Sequence, residues 1–356
     1  MATEKRIVIT RWSAVSPLGI GRTAFEAGFL AGAVPTAVRT PPYGHLTGDR
    51  AYLVPEFDVR AVLGRRGTRS MERLSGLAVT TARELLQEEP ALTDNAQTAV
   101  VLGTSGSPQV MRDFIRSSLL AERPFYVDPA AVPNGVLNCA ASRIAIWHQL
   151  QGPNATLTTG RTAGLFALGH ARRLLTAGRA RQAVVGAAEE YSDTRAWLEW
   201  HHRDQRTPRV SLSEGCALFL LENAAGPSRP PLVELLTIEH RMCVSGPPGE
   251  QLRRCVHSAL ARYGLTPDDI WSVSLSRAPG ELCDQEHQAL AAMFAPSALN
   301  RLPAPSWIAA SASASAAFQL AAALTAAARH AATGCLSLII ALDPGGTMAC
   351  ALLRHC

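Results

Sequence analysis

The chain has 356 residues, 47% of them hydrophobic and 18% charged, with a net charge of +5. This is the profile of a globular protein of one large or two modest domains, and it excludes a disordered or fibrous chain. No window approaches 18 uncharged apolar residues, and no Lys/Arg run is interleaved with aromatics, so neither a membrane span nor a nucleic-acid surface is expected. The opening MATEKRIVIT enters an apolar run at once and lacks a signal-peptide pattern, which predicts a cytoplasmic protein. The eight cysteines, at 139, 216, 243, 255, 283, 335, 350 and 356, form no C-x-x-C pair. They read as buried free thiols, and no metal site is expected. Lys5 is the one lysine among 34 basic side chains, and the mildly basic balance suits an acidic partner protein.

Strand and helix signals alternate. Residues 6–10 are a short β-rich run, followed by a Ser-Pro-Leu-Gly turn at 16–19. Residues 72–89 form an amphipathic helix with Leu74, Leu77, Ala78, Thr81 and Leu85 on one face. A buried strand at 99–102 ends in Gly103-Thr104-Ser105-Gly106, and helices follow at 110–121 and 138–149. The helix 162–177 presents Ala163, Phe166, Ala167, His170, Ala171 and Leu174 on one face, with Arg172 and Arg173 outside and Gly178 as its stop. Strands are expected at 183–187 and 216–221, the second nearly all apolar, as in a sheet covered on both faces.

Past a Pro-rich segment at 226–231 a second cycle begins. It has a strand at 232–238, a helix at 250–263, a strand at 271–275 and a helix at 285–293. An alanine-rich helix at 315–332 and strands at 337–342 and 349–353 complete it. The alternation predicts a layered α/β fold. The two cycles divide the chain into similar halves, 1–225 and 226–356, although no sequence repeat is visible.

An ordered set of motifs carries a family resemblance. VITRWSAVSPLG at 8–19, MERLSGLAVTTARELL at 71–86 and VVLGTSG at 100–106 come first. PNGVLNCAASRIAIWHQLQGPNATLTT at 133–159 leads into TLTTGRTAG at 156–164. VVGAAEE at 184–190, SEGCALFLLE at 213–222 and DPGGTMACALL at 343–353 follow. Together they resemble the β-ketoacyl synthases, in family order along nearly the whole chain. The resemblance implies the thiolase fold, five α-β-α-β-α layers built from two pseudo-duplicated halves. It divides the chain into an N-terminal half with the nucleophile turn and a C-terminal half with the histidine loops.

The family's catalytic positions are all replaced. Its nucleophile turn T-A-C-A-S-G has Arg161 at the cysteine, and a guanidinium cannot lose a proton near neutral pH or attack a thioester. Against A-H-G-T-G-T, the segment VSLSRAPGELCD at 273–284 puts Ser276 on the histidine. Against S-T-K-S-M-T-G-H, ASASASAA at 310–317 puts Ala312 on the lysine and Ala317 on the histidine. Neither loop contains a histidine. Pro344 stands at the phenylalanine that gates the acyl pocket.

A ketosynthase-like shell without its catalytic groups resembles the chain length factor of type II polyketide synthases. The resemblance implies a dimer with an active ketosynthase, service by an acyl carrier protein, and no cofactor beyond the carrier's phosphopantetheine. The acyl tunnel is expected on the helix after Gly106, with Val110, Phe114 and Ser117 on one face and Asp113 at its edge. Asp113 reads either as a solvated residue flanked by Arg112 and Arg116 or as the end of the tunnel. Asn138 and Cys139 fall near the expected dimer seam, where packing is their expected role. Arg161 has two readings: it fills the vacated pocket and pairs with Glu189 or Glu190, or it binds a thioester oxygen or malonyl carboxylate. Glu214 reads as a structural acceptor. The short segment between the 184 and 213 strands lacks P-F-D-x-x-R-D-G, a trait of reducing, polyene-type systems. Two rival functions stand beside this one. The first is a stand-alone acyltransferase using Cys139 or Cys216 with His148 or His170; the second is a purely stabilising scaffold.

Overall fold

The computed structural model describes residues 5–40, 50–87, 94–202, 211–227 and 229–356. Among these, the strands are β1 (Ile7–Ser16), β2 (Gly19–Ile20), β3 (Val38–Arg39), β4 (Arg50–Tyr52), β5 (Thr98–Gly103), β6 (Asn154–Leu157) and β7 (Gln182–Glu189). They continue with β8 (Leu212–Ser213), β9 (Gly215–Asn223), β10 (Val233–Met242), β11 (Ile270–Ser274), β12 (Leu336–Leu342) and β13 (Thr347–His355). The large sheet runs β11-β12-β13-β10-β1-β9-β7-β5-β6, with β2 folded back on β1; β3, β4 and β8 form a small sheet.

Strand pairing repeats in the two cycles. β1 lies antiparallel to β9, β9 antiparallel to β7, and β7 parallel to β5. Likewise β10 lies antiparallel to β13, β13 antiparallel to β12, and β12 parallel to β11. The two runs join through β1 and β10, in register from Ile7↔Leu235 to Ile9↔Val233.

Side-chain alternation turns these strands into layers. Ala99 and Val101 of β5, Ala217, Phe219 and Leu221 of β9, and Ile339 and Ala341 of β12 enter one central core. Helices Ala163–Thr176 and Ser315–Arg329 fill that core. Their neighbours Val100, Leu102, Cys216, Leu218 and Leu220 point the other way, beneath helices Arg73–Leu86 and Cys139–His148. Leu338, Ile340 and Leu342 of β12 face a third core under helices Pro248–Ala261 and Glu281–Ala291. The result is the expected α-β-α-β-α stack. A doubly covered sheet also explains why β9 and β12 are apolar on both faces.

Several expectations are refined. The helix expected at 72–89 spans Arg73–Leu86, and all five residues of its expected face are buried; positions 88 and 89 lie outside the described residues. The face of Ala163–Thr176 is rotated. Leu165, Leu168 and Leu175 are buried, whereas Phe166, His170 and Leu174 are half-buried, because a helix between two sheets is covered on most of its circumference. The sequence reading missed β6 and helices Arg22–Leu30 and Asp193–His202. All the cysteines are free; 139, 216, 255 and 350 are buried, 243, 283 and 335 half-buried, and Cys356 is exposed, so burial does not extend to all of them. Among the described residues no helix is long and apolar enough to cross a membrane, and no group of side chains is arranged to hold a metal.

Candidate functional site: a filled nucleophile pocket

The turn Gly160–Thr162 connects β6 to the central helix Ala163–Thr176. Two glycines set its position. A Cβ at Gly103 would meet the Ala163 carbonyl carbon at 2.6 Å, so only glycine lets β5 approach the helix start. Gly160 adopts φ +60°, and a Cβ there would lie 2.0 Å from Asp343 Oδ2.

Between these contacts sits Arg161, 8% exposed. Its Nη2 donates to the Ser276 carbonyl at 2.8 Å and its Nη1 to the Ala309 carbonyl at 2.6 Å. Its backbone N–H donates to Asp343 Oδ2 at 2.9 Å. Its Nε is buried without a hydrogen-bond partner. Burial lowers the guanidinium pKa, and nearby Glu286 and Asp343 counter that effect. The expected pairing with Glu189 or Glu190 is not made. Those carboxylates are committed elsewhere, and Arg161 reaches across to two backbone carbonyls instead.

The degenerate positions converge on this arginine. Ser276 is buried; its carbonyl accepts from Arg161, its N–H donates to Glu286 Oε1 at 2.6 Å, and its Oγ accepts from Leu342 N–H at 3.1 Å. Ala317 is fully buried, its backbone nitrogen 3.4 Å from where a Cβ on Gly164 would stand. Ala312, at φ +43°, opens the turn Ala312–Ala314, which packs on Gly160–Thr162. Pro344 lies exposed in the turn between β12 and β13. No thiol, amine or imidazole stands at these places, the Ser276 hydroxyl is engaged with the Leu342 backbone, and the Arg161 Nε is buried without a partner.

Two groups of buried carboxylates brace the pocket. Glu286 also accepts the Arg277 N–H at 2.8 Å, and burial pushes its pKa up to about 7 against these hydrogen bonds. Glu189 accepts from Ser105 Oγ at 2.9 Å and Ser313 N–H at 3.2 Å, with Arg195 Nε 3.8 Å away. Its pKa is raised by burial, partly opposed by Arg195. Glu190 accepts from Leu74 N–H at 3.0 Å and Ser107 Oγ at 2.5 Å. Burial, with Glu189 and Glu214 adding to it, pushes Glu190 up to about 7. Glu214, fully buried, is the structural acceptor expected: it takes N–H bonds from Val54 and Tyr191 and a two-pronged contact from Arg73.

Sequence reasoning missed Asp343, Glu286, Arg73 and Arg195. Asp343 carried a signal: in DPGGTM it replaces the family's first glycine, beside an arginine that replaces the cysteine. The Asp343 carboxylate takes the backbone N–H of Arg161 and so joins the two loops.

The helix Pro108–Leu120 has no buried residue. Val110 and Phe114 are half-buried, and Asp113 and Ser117 are exposed. Asp113 bonds Arg112 at 2.6 Å and Gln109 at 2.9 Å. Partial burial raises its pKa, but these hydrogen bonds outweigh that and hold it below the ordinary value. Met111, Ile115 and Leu119 form an exposed stripe, 41%, 50% and 75% accessible, with Leu120, Phe125, Val132, Val136 and Leu137 also open. Asn138 is exposed, and Cys139 packs beneath it, its Sγ 3.7 Å from both Ser75 Oγ and Asn134 Oδ1.

The family profile for "Beta-ketoacyl synthase, N-terminal domain" matches residues 4–209. The chain belongs to the β-ketoacyl synthase family. Among curated relatives, the 3-oxoacyl-[acyl-carrier-protein] synthase 2 of Coxiella burnetii is 28% identical over 193 residues, 52% of this chain and 46% of that protein. The namesake from Vibrio cholerae is 27% identical over 195 residues, 53% of this chain and 47% of its own. The chain thus spans about half the length of the curated relatives it matches. Among solved structures, "The ishigamide ketosynthase/chain length factor" is 41% identical with a TM-score of 0.93, covering 98% of this chain and 99% of that one. A β-ketoacyl synthase from Burkholderia phymatum STM815 shares the fold at 18% identity and a TM-score of 0.82, over 99% of this chain and 100% of its own. A type II polyketide ketosynthase in complex with its acyl carrier protein shares it at 15% identity and a TM-score of 0.77, over the same fractions.

Proposed function

We propose that this β-ketoacyl synthase homologue is a non-catalytic chain length factor of a type II polyketide synthase. In this reading it pairs with an active ketosynthase, completes its acyl tunnel and sets chain length during decarboxylative condensation of carrier-bound acyl groups in the cytoplasm. The observation that carries the reading is Arg161, buried and hydrogen-bonded where the family holds its nucleophile, in a chain 41% identical to a ketosynthase/chain length factor structure. A filled pocket with an arginine at the nucleophile's expected place leaves bond making to a partner.

The surface supports pairing. Among the described residues β6 ends the large sheet and leaves one strand edge open, and exposed apolar area on the surface likewise favours a partner over solvent. Met111, Ile115, Leu119, Val136 and Leu137 supply that apolar area. Asn138 and Cys139 belong to the same seam. In this reading Val110, Asp113, Phe114 and Ser117 line the tunnel, and Pro344 replaces the aromatic gate with a fixed turn. The repeated strand pairing supports two halves, 1–225 and 226–356. The short segment between β7 and β8 favours a reducing, polyene-type system.

The stand-alone alternative finds little chemistry to use. The Cys216 thiol is fully buried and pushed up to about 12, and the buried His148 is pushed down to about 4. Co-expression with a cysteine-bearing ketosynthase and its carrier, followed by mass spectrometry of carrier-bound products, tests the proposal. A complex whose product lengths do not respond to Asp113→Ala or Phe114→Ala leaves only the scaffold role. Condensation by the purified chain alone supports the stand-alone enzyme.

A further inference from the structure

Asp343 sits where a ligand would. The turn that opens helix Ala163–Thr176 directs the Arg161 N–H at this carboxylate, and the partial positive charge of a helix start favours an anion there. Arg161 adds its guanidinium, more than nine-tenths buried, with Nε unpartnered. The anion that answers this donor set comes from the chain itself. Asp343 Oδ2 lies 2.9 Å from the Arg161 N–H, and Oδ1 takes the Gly345 N–H at 2.8 Å.

The surrounding turn fixes that carboxylate. Asp343 N–H donates to the Thr347 carbonyl at 2.9 Å, and its own carbonyl accepts from Gly346 N–H at 2.9 Å. Thr347 Oγ1 lies 3.0 Å from Thr162 Oγ1, tying β13 to the same helix start. The side-chain-free Gly160 leaves room for Asp343 and for little else.

The geometry points to Asp343 as an internal anion that closes a small-carboxylate site at the Gly160–Arg161 turn, sealing this subunit against acyl thioesters and free carboxylates. The inference rests on the proposed non-catalytic role and deepens it: within a pair of similar subunits, acyl groups are kept from the pocket of this one. Loss of the arginine side chain alone does not open the pocket, because Asp343 still holds the backbone N–H at position 161 and repels an incoming anion.

Two measurements on the full chain test this. In calorimetric titration with malonate, wild type should show no heat of binding up to about 10 mM, and Asp343→Gly should bind at least tenfold more tightly than that limit. Malonate binding by wild type, or none by a folded Asp343→Gly, overturns the inference. The second measurement serves if the glycine variant does not fold. Arg161→Cys should be alkylated by iodoacetamide at pH 7 at least tenfold more slowly than Arg161→Cys/Asp343→Asn, because the carboxylate disfavours the thiolate. Equal rates overturn it. Neither readout involves the partner, product length or condensation, so a failure here is distinct from a failure of the chain length reading.

Discussion

Arg161 Nη2 donates to the backbone carbonyl of Ser276 at 2.8 Å, so the residue at the nucleophile's place holds the loop that would carry the first catalytic histidine. With the Ala309 carbonyl and Asp343, the same arginine binds three loops to the central helix. Arg161 is a structural cross-tie between these loops.

Arg161→Ala therefore removes the donor for one buried and one part-buried carbonyl and leaves a void. It should lower stability by about 2–3 kcal/mol, read as a lower urea midpoint at constant slope. Arg161→Lys should recover less than half of the loss, because one ammonium does not span two diverging carbonyls as a planar fork does. An unchanged midpoint in the alanine variant contradicts the cross-tie.

Restoring the thiol should not restore the reaction. Arg161→Cys has no imidazole at Ser276 or Ala317 and no lysine at Ala312. Incubated alone with malonyl carrier protein, it should release no carbon dioxide above the wild-type background. Measurable decarboxylation shows that another base serves the pocket.

Glu190 and Glu286 titrate near about 7, above the ordinary value of 4.5. Raised in the folded state, each contributes stability that is complete below about pH 4.5 and lost as pH rises through about 7, a change of roughly 3 kcal/mol per group. His148 and His355, pushed down to about 4 by burial, act with opposite sign, contributing above about pH 6.5 and losing that contribution as pH falls through about 4. The wild-type curve should consequently be nearly level across weakly acidic pH. Glu286→Gln removes one falling contribution, so its stability relative to wild type should rise between about pH 5 and pH 8. A pH-independent difference rules out the buried titration.

Arg73 bonds the fully buried Glu214 through two guanidinium nitrogens. Arg73→Ala strands that carboxylate and should cost about 3 kcal/mol or more. Adding Glu214→Gln should return part of it, a coupling visible in a double-mutant cycle. Additive losses argue against a functional pair.

The exposed stripe on Pro108–Leu120 should matter to assembly and not to folding. Ile115→Arg and Leu119→Arg should abolish co-purification with an active ketosynthase while shifting the chain's own stability by less than about 0.5 kcal/mol. Retained pairing moves the seam elsewhere.

Much of this molecule is local and was legible in order. Strands such as β9 and helices such as Arg73–Leu86 announce themselves through apolar runs and a 3.6-residue period, since burial on one face leaves its mark on every turn. The residue types at the four expected catalytic positions were equally plain to read, and arginine, serine and alanine do not supply the chemistry of cysteine, histidine and lysine. Contact across the fold left no such mark. Arg161 was expected to meet Glu189 or Glu190, one helix and one strand away in sequence. It meets Ser276, Ala309 and Asp343, which lie between 115 and 182 residues further on. Sequence alone determined the residue types at the expected catalytic positions, Arg161, Ser276, Ala312 and Ala317. Tertiary structure decided what the substitute does, because hydrogen bonds between loops are set by where the sheets bring them and not by their separation along the chain.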